Sequence, residues 1–255
     1  MIKLASNYVP YNFTEAEFEI VPMKGQQLSL LSKAVLADDI SYALQAVDQI
    51  INQDINTITI PDFYHILMYA RFQSMPASGV EIAWDCNGSM YRAETSGIDY
   101  NLLQLEAMNK AFEMDPENNP DPEKLIVEEV DCGKHVEQEL RLNDFHILEL
   151  PADTALEPGF DFPRCNILPS LLEAYSDPER VLIAGAAQWL QGGENIDDKI
   201  NAMNNSDGLG LYDELSKLNA RLTYGVKQKL PVICPKCGTK HQVAVVLTPE
   251  LFFRF

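Results

Sequence analysis

Apolar residues recur along this chain at two spacings, and the switches between them mark its elements. Leu28, Leu31 and Val35 share one helical stripe and Ile40, Leu44, Val47 and Ile51 another, so the spacing predicts two short helices broken at Asp38-Asp39. Thr59-Ile60-Pro61-Asp62 reads as a helix start: proline suits the first position, and an early aspartate suits the positive end of the dipole. Phe63, Ile66, Leu67 and Ala70 carry that helix towards Gln73, and Met75-Pro76-Ala77-Ser78-Gly79 stops it. The period then changes to two. Residues 80–84 alternate as a half-buried strand, Cys86-Asn87-Gly88 turns the chain, and a short strand is expected over 90–93.

A weaker helical run covers 100–114, followed by the acidic, proline-punctuated loop Asp115-Pro116-Glu117 to Glu123. A strand at 125–130 leads into Cys132-Gly133-Lys134-His135 and a further strand at 136–142. Residues 151–165 are loop-like and form the expected boundary between halves. Beyond them, Asp177-Pro178-Glu179 opens a helix that Gly192-Gly193 closes, residues 196–203 form another, and Leu211, Leu215, Leu218 and Leu222 mark a last one. The chain ends in a strand-turn-strand stretch, 230–247, carrying Cys234-Pro235-Lys236-Cys237-Gly238. Residues 7–22 read as an extended N-terminal arm. The expected class is α+β, with short helices packed against two β-hairpin, zinc-ribbon-like units that form a pseudo-duplication. Its halves are 1–150, with an acidic insertion at about 87–130, and 151–255, ending in the cysteine hairpin.

Charge and cysteines narrow the chemistry. In 255 residues, 38 acidic against 19 basic side chains give a net charge of -19, which repels nucleic-acid backbones and anionic lipid. Five irregularly spaced cysteines fit a reducing compartment better than a disulfide framework. No secretory leader and no membrane span are expected. Cys234 and Cys237 have zinc-knuckle spacing, which provides half of a four-ligand site. The other ligands would come from His241, from Cys86 and Cys132, or from a partner chain. The preferred reading is nevertheless a metal-free hairpin that keeps the knuckle turn, because the first copy lacks a Cys-x-x-Cys pair, with zinc as the alternative. Zinc is the one cofactor these residues suit. Cys165 reads as a buried structural thiol and His65 as a surface or boundary histidine. Phosphate loops, nucleophile elbows and His-Glu-x-x-His helices are missing from the sequence, so no catalytic residues are assigned and no small-molecule substrate is expected.

Aromatic residues concentrate near the termini: Phe13 and Phe18 in the arm, and Phe252, Phe253 and Phe255 at the end. They are candidates for docking a partner, the alternative being that both termini fold back onto the body. The order helix, Ala-Arg, strand, cysteine turn, strand occurs around Ala70-Arg71 with Cys86 and again around Ala220-Arg221 with Cys234. Together with residues 207–225, Cys234-Pro-Lys-Cys237-Gly and the closing Leu247-Thr-Pro-Glu-Leu-Phe-Phe, this resembles the baseplate hub assembly family of T-even-type bacteriophages. The resemblance implies a non-enzymatic chaperone, scaffold or hub component. Its partners would be other baseplate hub and tail proteins, met in the host cytoplasm during assembly or retained in the virion tail baseplate. The alternative is a zinc-ribbon regulator that touches nucleic acid or polymerase through Lys227, Lys229, Lys236 and Lys240.

Overall fold

The computed structural model describes residues 2–76, 79–93, 99–119, 121–122, 126–206 and 208–245. Its helices are α1 (Gly25–Ala37), α2 (Ile40–Asp48), α3 (Ile60–Ser74), α4 (Leu102–Met114), α5 (Leu168–Tyr175), α6 (Val181–Ala187), α7 (Ile196–Asn204) and α8 (Gly208–Arg221). Its strands are β1 (Val80–Asp85), β2 (Ser89–Ala93), β3 (Asp99–Tyr100), β4 (Ile126–Asp131), β5 (His135–Leu140), β6 (Ile147–Leu148), β7 (Gly225–Val226), β8 (Lys229–Ile233) and β9 (Lys240–Ala244). The strands form small antiparallel ladders, which makes the chain α+β. Among the described residues no helix is long and apolar enough to cross a membrane.

The chain divides into two compact units, and not at the loop 151–165. One unit holds Met1–Gly79 and Arg141–Lys227, and the other holds Val80–Leu140 with Gln228–Val245. The second unit is therefore built from two stretches far apart in sequence. The proline-rich composition of 151–163 marks an exposed connection, which is not the same thing as a domain boundary.

The first unit is mainly helical. Asp38, in the left-handed region at φ 49, turns the chain between α1 and α2, and the Asp39 carboxylate accepts from the Ser41 amide to cap α2. Leu171, Ala184, Trp189, Met203, Leu215 and Leu222 join the core that packs α5–α8 together. Within that core the Trp189 indole N–H donates to Asn219 Oδ1 at 2.9 Å. The helix expected from 177 to 192 is shorter than its signals suggested, because α6 ends at Ala187 and Leu190 instead bridges to Phe160. The N-terminal arm does not extend as a strand. It folds through turns and a single 3-10 turn, Glu15–Glu17, and touches the body through an Ile20–Ile51 bridge.

Asp62 anchors that arm. Its buried carboxylate accepts from the Ser6 amide at 3.0 Å, the Tyr11 hydroxyl at 2.6 Å and the Thr59 hydroxyl at 3.1 Å. Burial raises its pKa, and these bonds partly offset the rise. The aromatic rings of the arm follow it inward. Phe13 stacks between Tyr11 and Phe18, and Phe18 is 3% exposed. Phe18 is thus part of the packed body, with its ring face already taken by Phe13, and the arm takes the fold-back arrangement. Phe252, Phe253 and Phe255 lie outside the described residues. At the far end of this unit Gly225, at φ +99, passes so close to Pro61 that a Cβ would sit 2.8 Å from the Pro61 Cβ.

His65 is buried rather than superficial, being 7% exposed, and its Nδ1 has no hydrogen-bond partner. Desolvation lowers its pKa to about 4. The unfolded chain therefore takes up a proton near pH 6.5 that the folded chain refuses until about pH 4. Stability contributed by neutral His65 is present at pH 7 and is lost as pH falls through that window. Between pH 7 and 5 the loss amounts to about 2 kcal/mol. Urea titrations followed by Trp189 fluorescence in a Trp84→Phe background should show that loss, and His65→Leu should flatten it.

Candidate metal centre

The second unit brings together residues that the sequence scatters. β1 pairs with β5, with Val80 opposite Leu140 and Asp85 opposite His135, and β8 pairs with β9, with Lys229 opposite Ala244 and Ile233 opposite Lys240. The inward residues of these ladders are mostly apolar, with Gln138 and His241 on the same faces. The apolar ones include Val80, Ile82, Val136, Leu140, Leu230 and Val232, all buried. At the ends of the two ladders stand four cysteines.

The second turn is contiguous and runs from Cys234 to Thr239. The Cys234 amide donates to the Thr239 carbonyl at 3.0 Å, the Gly238 amide donates to the Cys234 carbonyl at 2.9 Å, and Gly238 takes φ +76. The first turn has the same plan in two pieces. The Cys86 amide donates to the Lys134 carbonyl at 2.9 Å, and Gly133, which follows Cys132 as Gly238 follows Cys237, takes φ +54. Residues 86–88 and 132–134 together fill the six positions that 234–239 fill between the other pair of strands. Between Gly88 and Cys132 the chain leaves as β2 and returns as β4. These two pair from Ser89 opposite Asp131, and the Cys132 amide closes the exit on the Gly88 carbonyl at 2.7 Å. The insertion expected at about 87–130 is thus residues 89–131, a three-stranded sheet, in the order β3-β2-β4, with α4.

Cys86, Cys132, Cys234 and Cys237 are all buried and unoxidised, and their sulfurs lie within 4.8 Å of one another. Cys86 and Cys237 are 3.4 Å apart, and Cys132 and Cys234 are 3.8 Å apart. Metal–sulfur bonds of about 2.3 Å in a tetrahedral tetrathiolate place sulfurs about 3.8 Å apart, so the donor set fits a metal ion of that kind. The sulfurs make up much of the local core, which otherwise contains Met90 and Val136 with Trp84 and Val130 at its edge.

Polar groups lie against two of the sulfurs, Cys86 and Cys237. The Gly88 amide donates to Cys86 Sγ at 3.3 Å, and His241 Nε2 lies 3.1 Å from the same sulfur, outside the group of four. Thr239 Oγ1 is 3.1 Å from Cys237 Sγ, and Lys236 Nζ donates to the Cys132 carbonyl at 3.0 Å. Burial pushes the Cys86 thiol up to about 12 and raises Cys132. At Cys237 burial acts in the same direction, but hydrogen bonds from Thr239 and the neighbouring thiols outweigh it and bring the group down to about 7.

Of the residues singled out in the sequence, Cys86, Cys132, Cys234 and Cys237 converge and His241 joins as a neighbour of one sulfur. Cys165 is buried elsewhere, in the helical unit. Sequence reasoning missed the demand on Gly88. A Cβ there would lie 2.3 Å from Thr239 Oγ1, 2.7 Å from Thr239 Cβ and 3.0 Å from Cys237 Sγ. Thr239 and Gly88 thus set how closely the two turns approach, and no spacing rule exposes a contact between residues so distant. Compared with protein-family models, curated proteins and solved structures, the chain matches none.

Gly88→Ala should lower stability by about 1–3 kcal/mol through overpacking at this contact. Adding Thr239→Gly, which removes both of the closest atoms, should recover part of the loss. A double-mutant cycle on urea midpoints reads the coupling directly.

Proposed function

We propose that the four cysteines hold a structural zinc ion, and that the chain is a non-enzymatic assembly protein that uses the metal-braced unit for recognition. The observation that carries the metal reading is the closed set of four buried sulfurs. Structural zinc sites take four protein ligands, whereas catalytic sites keep one position open for water or substrate. His241 then acts as a hydrogen-bonding neighbour that steadies Cys86. The two turns make a zinc-ribbon-like pair, one contiguous and one split by residues 89–131, as a duplicated hairpin with an insertion at one tip would be. Because the apolar core around the sulfurs is small, metal binding supplies folding free energy to this unit.

The assembly role draws on the resemblance of 207–225 and the Cys234-Pro-Lys-Cys237-Gly turn to baseplate hub assembly proteins of T-even-type phages. Its partners are then other hub and tail proteins. A closed metal site agrees with a protein that acts by contact, since it offers no coordination position for chemistry.

Metal analysis of purified protein should return one zinc per chain, and Cys234→Ser or Cys86→Ser should abolish stoichiometric binding. Chelation should open residues 80–140 and 228–245 to proteases while 141–227 stays protected, because the helical unit has its own core. A zinc-free protein with an intact second unit would sink the metal reading. Co-expression with tail hub proteins, followed by size-exclusion chromatography, tests the role separately. Co-elution with a hub protein is expected, and failure of every hub protein to shift this chain would remove it.

A further inference from the structure

The outward face of the β8–β9 ladder has an unusual composition for this chain. Lys229, Pro231 and Ile233 are exposed on β8, opposite Ala244, Gln242 and Lys240 on β9, while Leu230 and Val232 turn inward. Ile233 is 58% exposed. No aspartate or glutamate occurs between Gly225 and Val245, although the whole chain carries a net charge of -19. The outward face of the β1–β5 ladder is the opposite. Glu81, Ala83 and Asp85 are exposed opposite Glu139, Glu137 and His135. Glu81 stands directly across from Glu139.

We infer that these two faces recognise each other between copies of this chain, the β8–β9 face of one copy docking on the β1–β5 face of the next. The dimensions match as well as the charges. β8 has five residues and β1 has six. Lys229 and Lys240 stand four residue steps apart along their ladder, as Glu81 and Asp85 do along theirs, about 14 Å in each case. The rung between is Pro231 opposite Gln242 on the lysine face and Ala83 opposite Glu137 on the acidic face, so every rung of the acidic face carries a carboxylate and no rung of the lysine face does. Because the two faces differ, the contact is heterologous and builds a ring or a chain of copies rather than a two-fold dimer.

This inference rests on the reading that a metal fixes both hairpins in one unit, so the test uses zinc-loaded full-length protein and measures zinc in every sample. Sedimentation velocity at low salt should show concentration-dependent association beyond a dimer, weakened on the order of tenfold or more at high salt. Glu81→Lys/Glu137→Lys and Lys229→Glu/Lys240→Glu should each be monomeric alone, and an equimolar mixture should associate again. If a double variant loses zinc, the single substitutions Glu137→Lys and Lys240→Glu take its place. A zinc-replete wild-type protein that stays monomeric at low salt overturns the inference, and so does a mixture that fails to associate. Low-salt binding of an oligonucleotide by the wild type in place of self-association would do the same, by assigning the lysine face to a different ligand.

Discussion

The contact between Cys86 and Cys237, 151 positions apart in the chain, is the constraint on which the second unit depends. A companion contact joins Cys132 to Cys234 across 102 positions. Loop closure over such spans costs entropy that rises slowly with length, so the burden falls on the enthalpy available where the ends meet. At those ends the chain offers four sulfurs and a handful of apolar side chains. Four buried thiols without a cation are weak partners for one another. Around a divalent metal, as proposed, the same sulfurs would become its ligands and would hold each hairpin at its turn. The register of β1–β5 and β8–β9 is the one that keeps Val136, Leu140, Leu230 and Val232 inward, and a slip by one residue would turn them out.

The helical unit obeys a different logic. Its core is mainly apolar and continuous through α5–α8, with the Trp189–Asn219 hydrogen bond inside it, and further polar contacts secure its ends. Asp62 gathers Ser6, Tyr11 and Thr59, which ties the N-terminal arm to the start of α3. Lys199, buried and with its pKa lowered by desolvation, donates to the Gln188 and Leu190 carbonyls just beyond the end of α6. Cations favour carbonyl-rich helix ends, so this lysine is stabilised where an isolated buried charge would not be. The two units thus draw their stability from different sources.

Local patterns were legible in the sequence and long-range ones were not. The stripes of α1 and α2, the break at Asp38-Asp39 and the start of α3 at Pro61 depend on neighbours a few residues away, and the periodicity exposed them. The cysteine turns were legible as turns, and the match between Cys132-Gly133 and Cys237-Gly238 pointed to an interrupted hairpin. What periodicity could not show was that 80–140 folds with 228–245, because nothing local in either stretch names the other. The boundary read at 151–165 failed for this reason. His65 misled for a related one. A histidine beside an apolar stripe is usually solvated at its polar edge, but here the surrounding elements close over it and leave Nδ1 unpaired.

The insertion at the first turn shows how a metal centre can position more than its own ligands. β2 begins directly after Gly88 and β4 ends directly before Cys132, so the sheet they form grows from the rim of the sulfur cluster. Asn101, which caps α4, also donates to the carbonyl of Lys236 in the opposite turn at 3.2 Å. Leu103 lies against Gly238, where an added Cβ would meet its side chain at 3.4 Å. The insertion is therefore fixed at its base by the first turn and at the head of α4 by the second. Both turns carry cysteines of the cluster, so α4 is held at its head by the same turns that bring the sulfurs together. An interrupted turn thus carries an inserted sheet and helix on the cysteine cluster, which a contiguous turn such as 234–239 does not.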